Sequence, residues 1–235
     1  MRLTNPYASP GEWLKGCLHA HSTNSDGGLS PDELARIYRD GGYDFLSITD
    51  HDIFTPPPSI PRILSIPGAE VSSPTGNQHI LAIGIDRPPS VALTNQDLIN
   101  YINASGGLAV LCHPDMVVPD PGFAWSADEM IELRGVGGIE IFNFLCDLYY
   151  PLGYALEKWD LMLSAGHREC FGYAVDDTHA ERSPEGKGDA MLARGWNEGL
   201  FGGWTMVKAL DRSSDAIISA LRRGAFYSST GVEIR

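Results

Sequence analysis

The feature that most constrains the fold is the alternation, almost from end to end, of short apolar runs with helical patterns. That alternation is the signature of repeated βα units around a parallel sheet or barrel. Residues 14–20 read as the first strand. Ser30, Pro31, Asp32 and Glu33 then form a capping box with proline at the first helical position, Leu34, Ile37 and Tyr38 recur at helical spacing, and Gly41 with Gly42 ends the helix. Further strands are expected over residues 44–49, 63–66, 79–85, 108–112, 138–142, 170–175 and 204–209. Helices are expected over 96–104, 154–165 and 215–221, with a short one capped by Ser126 and Glu129. Pro56, Pro57 and Pro58 make their segment a loop. Residues 180–203 form the longest expected loop, of a length that often serves as a functional lid. A chain of 235 residues, 43% hydrophobic, is enough for one sizeable core, so one domain over residues 1–235 is expected.

Histidines and carboxylates recur where these strands end. His19 and His21 close the first strand, His51 follows Asp50 at the end of the second, and Glu70 lies just past the third. His113 follows the run 108–112, and Asp177 and His179 follow the run 170–175. In a parallel barrel all those ends lie on one face, where active sites are built. His79 is the exception, because it opens its strand. Of the seven histidines only His167, beside Gly166, falls outside the pattern. A lone histidine after a strand is commonly a hydrogen-bonded structural residue; six placed together call for another reason. Imidazole with carboxylate selects first-row ions such as zinc, iron or manganese, whereas calcium prefers oxygen alone. In extended chain His19 and His21 point the same way with Ala20 opposite, so the pair can grip one ion, and Asp177 with His179 repeats the spacing. One ion takes about four to six ligands, so this many candidates imply at least two ions.

Composition sets the outer bounds. Seventeen basic against thirty acidic residues leave a formal charge of −13, which repels a polyanion unless metal ions or a local basic patch reverse the field. Long duplex nucleic acid is therefore not an expected partner. No run of about 18 apolar residues offers a membrane span, and the first residues carry no signal-like segment, so a soluble, cytoplasmic protein is expected with no membrane partner. Cys17, Cys112, Cys146 and Cys170 form no CxxC pair and sit in or beside apolar stretches, as buried free thiols do.

The segments LHAHSTNSDG, SITDHD, PGAEVSS, HILAIGI, LCHPD and DDTH, in that order, resemble the motifs of the polymerase and histidinol phosphatase (PHP) domain family over nearly the whole chain. The resemblance implies an α/β fold, a single distorted (β/α)7 barrel, with two or three divalent metal ions (zinc, manganese or iron) at the strand ends. It implies His19, His21, Glu70 and Asp177 around one ion, Glu70 bridging to a second ion held by His79 and His113, and Asp26, His51 and His179 around a third. Asp26 stands where some members have histidine. Asp50 is implied as a supporting residue that accepts a hydrogen bond from a ligand imidazole and fixes its tautomer. Asp176 precedes the matched aspartate, but Asp177 has the better spacing to His179.

The reaction so implied is hydrolysis of a phosphomonoester or phosphodiester of a small metabolite or nucleotide by a metal-bridged hydroxide. Arg182, and after it Lys187 and Arg194, are candidates to clamp phosphate oxygens. Asp52, His79 and His179 all stand open as the proton donor to the leaving alkoxide. Glu140 and Asn143, at the end of GIEIFN, either contact substrate hydroxyls or cap the strand. Two rivals remain. An amidohydrolase-like metal hydrolase usually carries a bridging lysine, and no lysine lies at a strand end here. A non-catalytic metal-binding PHP module would have lost ligands, whereas the full set is present.

Overall fold

The computed structural model describes residues 5–8, 10–74, 77–87, 93–117, 121–180 and 199–234. Its strands are β1 (Glu12–Cys17), β2 (Phe45–Ile48), β3 (Leu64–Ser72), β4 (His79–Ile83), β5 (Leu108–Leu111), β6 (Gly138–Asn143), β7 (Phe171–Val175), β8 (Trp204–Ala209) and β9 (Phe226–Ser229). The described α-helices are α1 (Pro31–Asp40), α2 (Asn95–Ala104), α3 (Ala127–Glu132), α4 (Phe144–Tyr149), α5 (Leu156–Ser164) and α6 (Ser214–Arg222). Helix starts follow their local chemistry. Ser30 accepts the Glu33 amide while Glu33 reaches back to the Ser30 amide, and Ser126 with Glu129 repeats that reciprocal box at α3.

The nine strands form one sheet in the order β7-β6-β5-β4-β3-β2-β1-β8-β9. It curls into a nearly closed barrel. At one end of the seam Ala20 pairs with Thr178, and the His21 amide donates to the Thr178 carbonyl at 2.8 Å. Further along, hydroxyls bridge the gap: Ser228 accepts the Ala174 amide and donates to the Gly172 carbonyl, and Thr205 donates to the Ala174 carbonyl.

The α/β barrel expected from the sequence is present, with a less regular repeat than seven βα units. β4 runs antiparallel to both β3 and β5, and β8 runs antiparallel to both β1 and β9. The first reversal accounts for His79. The start of an antiparallel strand lies at the same end as the finishes of its parallel neighbours, and His79 pairs with Ser72 at the end of β3.

Alternation along the strands decides what faces the barrel interior. Leu14, Phe45, Ile66, Leu81, Ile83, Leu108, Val110, Tyr173 and Val175 form its core, and Ile217 and Leu221 of α6 join them. Gly138 gives Tyr173 its place, since a β-carbon there would lie 2.2 Å from the tyrosine ring. Outside, α2 and α3 pack over β4 and β5 through Leu98, Ile99, Ile102 and Met130, and α1 covers β1 and β2 through Leu34, Ala35 and Tyr38. The inward rows continue as polar residues toward one end: Ile66 and Gly68 lead to Glu70, Val175 to Asp177, and Leu81 back to His79. All four cysteines are free and buried. No helix of the described residues is long and apolar enough to cross a membrane.

Candidate metal centre

At that end of the barrel the expected ligands converge. The nitrogen Nε2 of His19 lies 3.1 Å from Nε2 of His21, 3.2 Å from Oε2 of Glu70 and 3.1 Å from Oδ1 of Asp177. His21 Nε2 lies 3.1 Å from the same Glu70 oxygen and 3.2 Å from the same Asp177 oxygen. Four donors around a first-row ion at about 2.0–2.2 Å stand about 3.3 Å apart, so the spacing fits one ion's shell. These are the four residues assigned above to one ion.

Glu70 faces two ways. Its Oε2 is shared with His19, His21 and, at 3.2 Å, His51 Nδ1, while its Oε1 meets His79 Nδ1 at 2.9 Å and His113 Nε2 at 3.2 Å. A third group joins His21, Asp26, His51 and His179, with Asp26 Oδ2 3.2 Å from His179 Nε2 and 3.6 Å from His51 Nε2. His21 was not assigned to this group; it lies between the first and the third. Several of these buried atoms approach one another without hydrogen-bond alignment: Glu70 Oε2, His21 Nδ1 and His79 Nδ1 have no hydrogen-bond partner. Buried polar atoms rarely stand so. Convergence on a common point without pairing is how ligand atoms are arranged around cations, and the donor set fits divalent first-row ions.

The chain spends backbone strain on this convergence. Asp52, His113 and Asp177 take φ of +56°, +29° and +54°, conformations that cost a non-glycine residue on the order of 1 kcal/mol or more. Electrostatics hold the cluster together. Burial opposes charging of His19, but Asp177, Glu70 and Glu140 outweigh it and carry its pKa well above the usual value. His21 is raised to about 9 against burial by Asp177 and Glu70. Against the same desolvation, Glu70 and Asp177 stay far below the carboxylate range because of the surrounding histidines. The Cys112 thiol, beside Glu70 and His113, is pushed well up by burial and then by Glu70, Glu140 and Asp177, which keeps it neutral.

A supporting layer lies behind the ligands. Glu140, fully buried, accepts the Nδ1 hydrogen of His19 at 2.6 Å and turns Nε2 toward the cluster. Its other oxygen accepts the His113 amide at 2.6 Å and the Asn143 amide group at 2.9 Å. Asn143 also donates to Asp177 Oδ2 at 3.0 Å and caps α4 through the Cys146 amide. Contact with substrate hydroxyls is therefore not their placement; they orient the residues that face the cavity. The sequence did carry a signal for Glu140, an acid at an inward position of a buried strand.

Other expected residues lie elsewhere. Asp50 bonds no imidazole: its carboxylate accepts the Ser22 amide and the hydroxyls of Ser22, Ser25 and Thr55, tying the loop after β1 to the segment after β2. The tautomer-fixing part assigned to Asp50 is played by Glu140, because Asp50 is surrounded by a turn rich in hydroxyls. Asp52, expected as a candidate proton donor, does not line the cavity, and both its oxygens accept from Ser72, from its amide and its hydroxyl. Asp176 points away from the cluster, accepting from the Tyr38 hydroxyl and the amides of Phe201, Gly202 and Gly203; burial nonetheless lifts its pKa to about 6. Arg182, Lys187 and Arg194 lie outside the described residues. His167, remote from the cluster, bonds the Ile131 carbonyl.

No family model matches the chain, and no curated protein matches its sequence. Solved structures do. A two-domain protein from Bacteroides vulgatus, containing a domain described as a predicted PHP-like metal-dependent phosphoesterase, superposes with a TM-score of 0.64 over 97% of this chain and 69% of its own, at 21% identity. The chain has the PHP-like fold. A protein from Bifidobacterium adolescentis, provisionally assigned as a metal-dependent phosphoesterase, matches with a TM-score of 0.53 at 14% identity over 72% of this chain and 89% of that one. Endonuclease Q, in complex with a 27-mer duplex substrate bearing an abasic lesion at the active site, matches with a TM-score of 0.57 at 13% identity over 93% of this chain and 58% of that chain. This last likeness corrects the expectation on nucleic acid: Endonuclease Q, to part of which this chain is similar in fold, takes a duplex substrate. A charge of −13 is a sum over the whole surface, whereas a phosphate would meet the local field of the cluster, which bound cations would reverse.

Proposed function

We propose that this chain acts as a single PHP-like unit, a metal-dependent hydrolase of phosphate esters. The observation that carries the reading is Glu70, whose two oxygens face two different sets of histidines, as a carboxylate shared between two ions must. His19, His21, Glu70 and Asp177 would hold one ion, Glu70, His79 and His113 a second, and Asp26, His51 and His179, with His21 alongside, a third. Such ions, when bound, lower the pKa of water and neutralise phosphate oxygens.

The chain's own part is to place and steady these groups. Glu140 fixes the ring of His19, Asn143 holds Asp177, and Asp50 anchors the loop that carries Asp26. His79 and His179 both line the cavity above the cluster, as Asp52 does not, and are the candidate donors for the leaving oxygen. The lysines described, Lys15, Lys158 and Lys208, pair with Glu233, Asp115 and the Tyr7 carbonyl, and none lines the cavity; a lysine-bridged amidohydrolase centre has no support among the described residues.

Elemental analysis of purified protein is expected to find between two and three first-row ions per chain. With manganese, iron or zinc restored after chelation, hydrolysis of a generic aryl phosphate is expected to return. A duplex carrying an abasic lesion belongs in the same assay as a phosphodiester. Protein that binds no metal under any of these conditions, or that cleaves amides and lactones but no phosphate ester, would sink the proposal.

Metal binding should also depend on pH with a definite sign. Metal-free His21 holds its proton up to about pH 9, and that proton must leave as a cation enters. Apparent affinity for manganese should therefore rise with pH across this range, about tenfold per unit for each displaced proton. Titrations at constant ionic strength between pH 6 and 9 check this, and a flat profile would contradict it.

A further inference from the structure

The cavity above the cluster, about 380 Å³, has two unlike walls. One consists of the histidines and carboxylates already described. The other is apolar: Met116 and Phe123 from the segment after β5, Leu145 and Tyr149 from α4, and Tyr150 beyond it. This second wall begins at the cluster itself, because the Phe123 ring meets the His79 imidazole edge-on with centroids 5.6 Å apart. At the mouth, Tyr149 remains 52% exposed and Val117, next to Met116, 43% exposed, so apolar surface is left open beside the polar centre. Among the described residues lining the cavity there is no lysine or arginine. Apart from the cluster, the polar side-chain groups on that lining are the two phenols.

We infer that the site takes phosphate esters whose alcohol carries a flat apolar ring one or two bonds from the ester oxygen. The ring lies against Phe123, Leu145 and Tyr149 while the phosphate meets the cluster. This inference rests on the phosphoesterase reading and narrows its substrate class. A sugar or polyol phosphate would press its hydroxyls against Met116, Phe123 and Leu145, which offer them no partner, and that loss weakens binding. A ring instead gains apolar burial and edge-to-face contact with aromatic side chains. The volume sits near the lower end of small-molecule cavities, about 300–1,000 Å³, and favours a compact group. Because Phe123 touches His79, the apolar wall starts directly beside the cluster, which favours a short link between phosphate and ring.

The test compares benzyl phosphate with ethyl phosphate on metal-loaded protein. Both release primary alkoxides of similar basicity, so their ratio reports the ring and not the leaving group. In parallel, benzylphosphonate and methylphosphonate, which are not cleaved, are titrated calorimetrically. Burying about 80 Å² of ring surface predicts a preference on the order of thirtyfold for the benzyl member of each pair. Phe123→Ala and Tyr149→Ala are each expected to shrink both ratios several-fold, with melting temperature followed to exclude misfolding. Wild-type ratios near one, or ratios unchanged in both folded variants, would overturn the inference. Cleavage of neither ester would count against the phosphoesterase reading alone, because the phosphonate ratio still decides whether the ring is recognised.

Discussion

Replacing Glu70 by glutamine is expected to lower turnover by about 10² to 10⁴-fold while the fold survives, the scale on which removal of a central catalytic element acts. The substitution keeps the size of the side chain and removes its charge. Glu70 is buried, and its two oxygens serve five histidines between them: His19, His21 and His51 on one side, His79 and His113 on the other. An amide offers one acceptor and turns two N–H donors toward rings that need an acceptor, so both sets of ligands lose their shared anion. The rest of β3 is untouched, since the Glu70 main chain pairs through Asp52, Asp50 and Thr49 and does not depend on the carboxylate. Turnover, bound metal and melting temperature should be measured together. Near-normal turnover with normal metal content would show that Glu70 merely satisfies its surroundings, and the bridging assignment would have to be given up.

Glu140→Gln is expected to weaken metal binding by about 10- to 100-fold, the range found when a partner behind a metal-ligating histidine is lost. Glu140 touches no cavity surface, yet it receives three hydrogens, from His19 Nδ1, the His113 amide and the Asn143 side chain. Glutamine can accept only through its oxygen and presents an NH2 where a second acceptor stood. Depending on which way the amide turns, either His19 loses the contact that aims Nε2 inward, or His113 loses the one that holds its strained backbone and Asn143 loses its acceptor with it. The loss should appear chiefly in metal affinity, read by titration with manganese. Metal affinity within a factor of two of wild type would show that ring packing alone orients His19. A fall in melting temperature without a change in affinity would point to an ordinary core hydrogen bond.

Much of the centre was legible along the chain because its residues follow strands, and strand ends in a barrel share a face. His19, His21, His51, Glu70, His113 and Asp177 needed only the positions of five apolar runs and a period of two. Their grouping came from the family resemblance and not from spacing. β3 was harder to delimit: the expected strand stopped at Ile66, yet it runs on to Ser72 through Pro67 and Gly68. Proline lacks an amide hydrogen, but in this strand its carbonyl accepts from Gly84, so the ladder continues past it. α4 and β9 were likewise not expected. Six residues of α4 carry too little periodicity to announce a helix, and its N-cap, Asn143, reads as the end of a strand.

The amino-acid sequence by itself determined the α/β class, the caps of α1 and α3, and the set of side chains that follow the strands, because each depends on local chemistry and on alternation along the chain. What only the tertiary structure decided depends on which elements are neighbours. The reversal of β4 put His79 among the strand ends, and the pairing of β6 with β5, together with the curl of the sheet that brings His19 to Glu140, made Glu140 the support of both His19 and His113. Asp50, Asp52 and Asp176 have the same carboxylate as Asp177 and lie in equally suggestive positions. A turn of hydroxyls, the end of a neighbouring strand and a loop of backbone amides claimed them first, since a buried carboxylate takes the nearest donors the fold supplies.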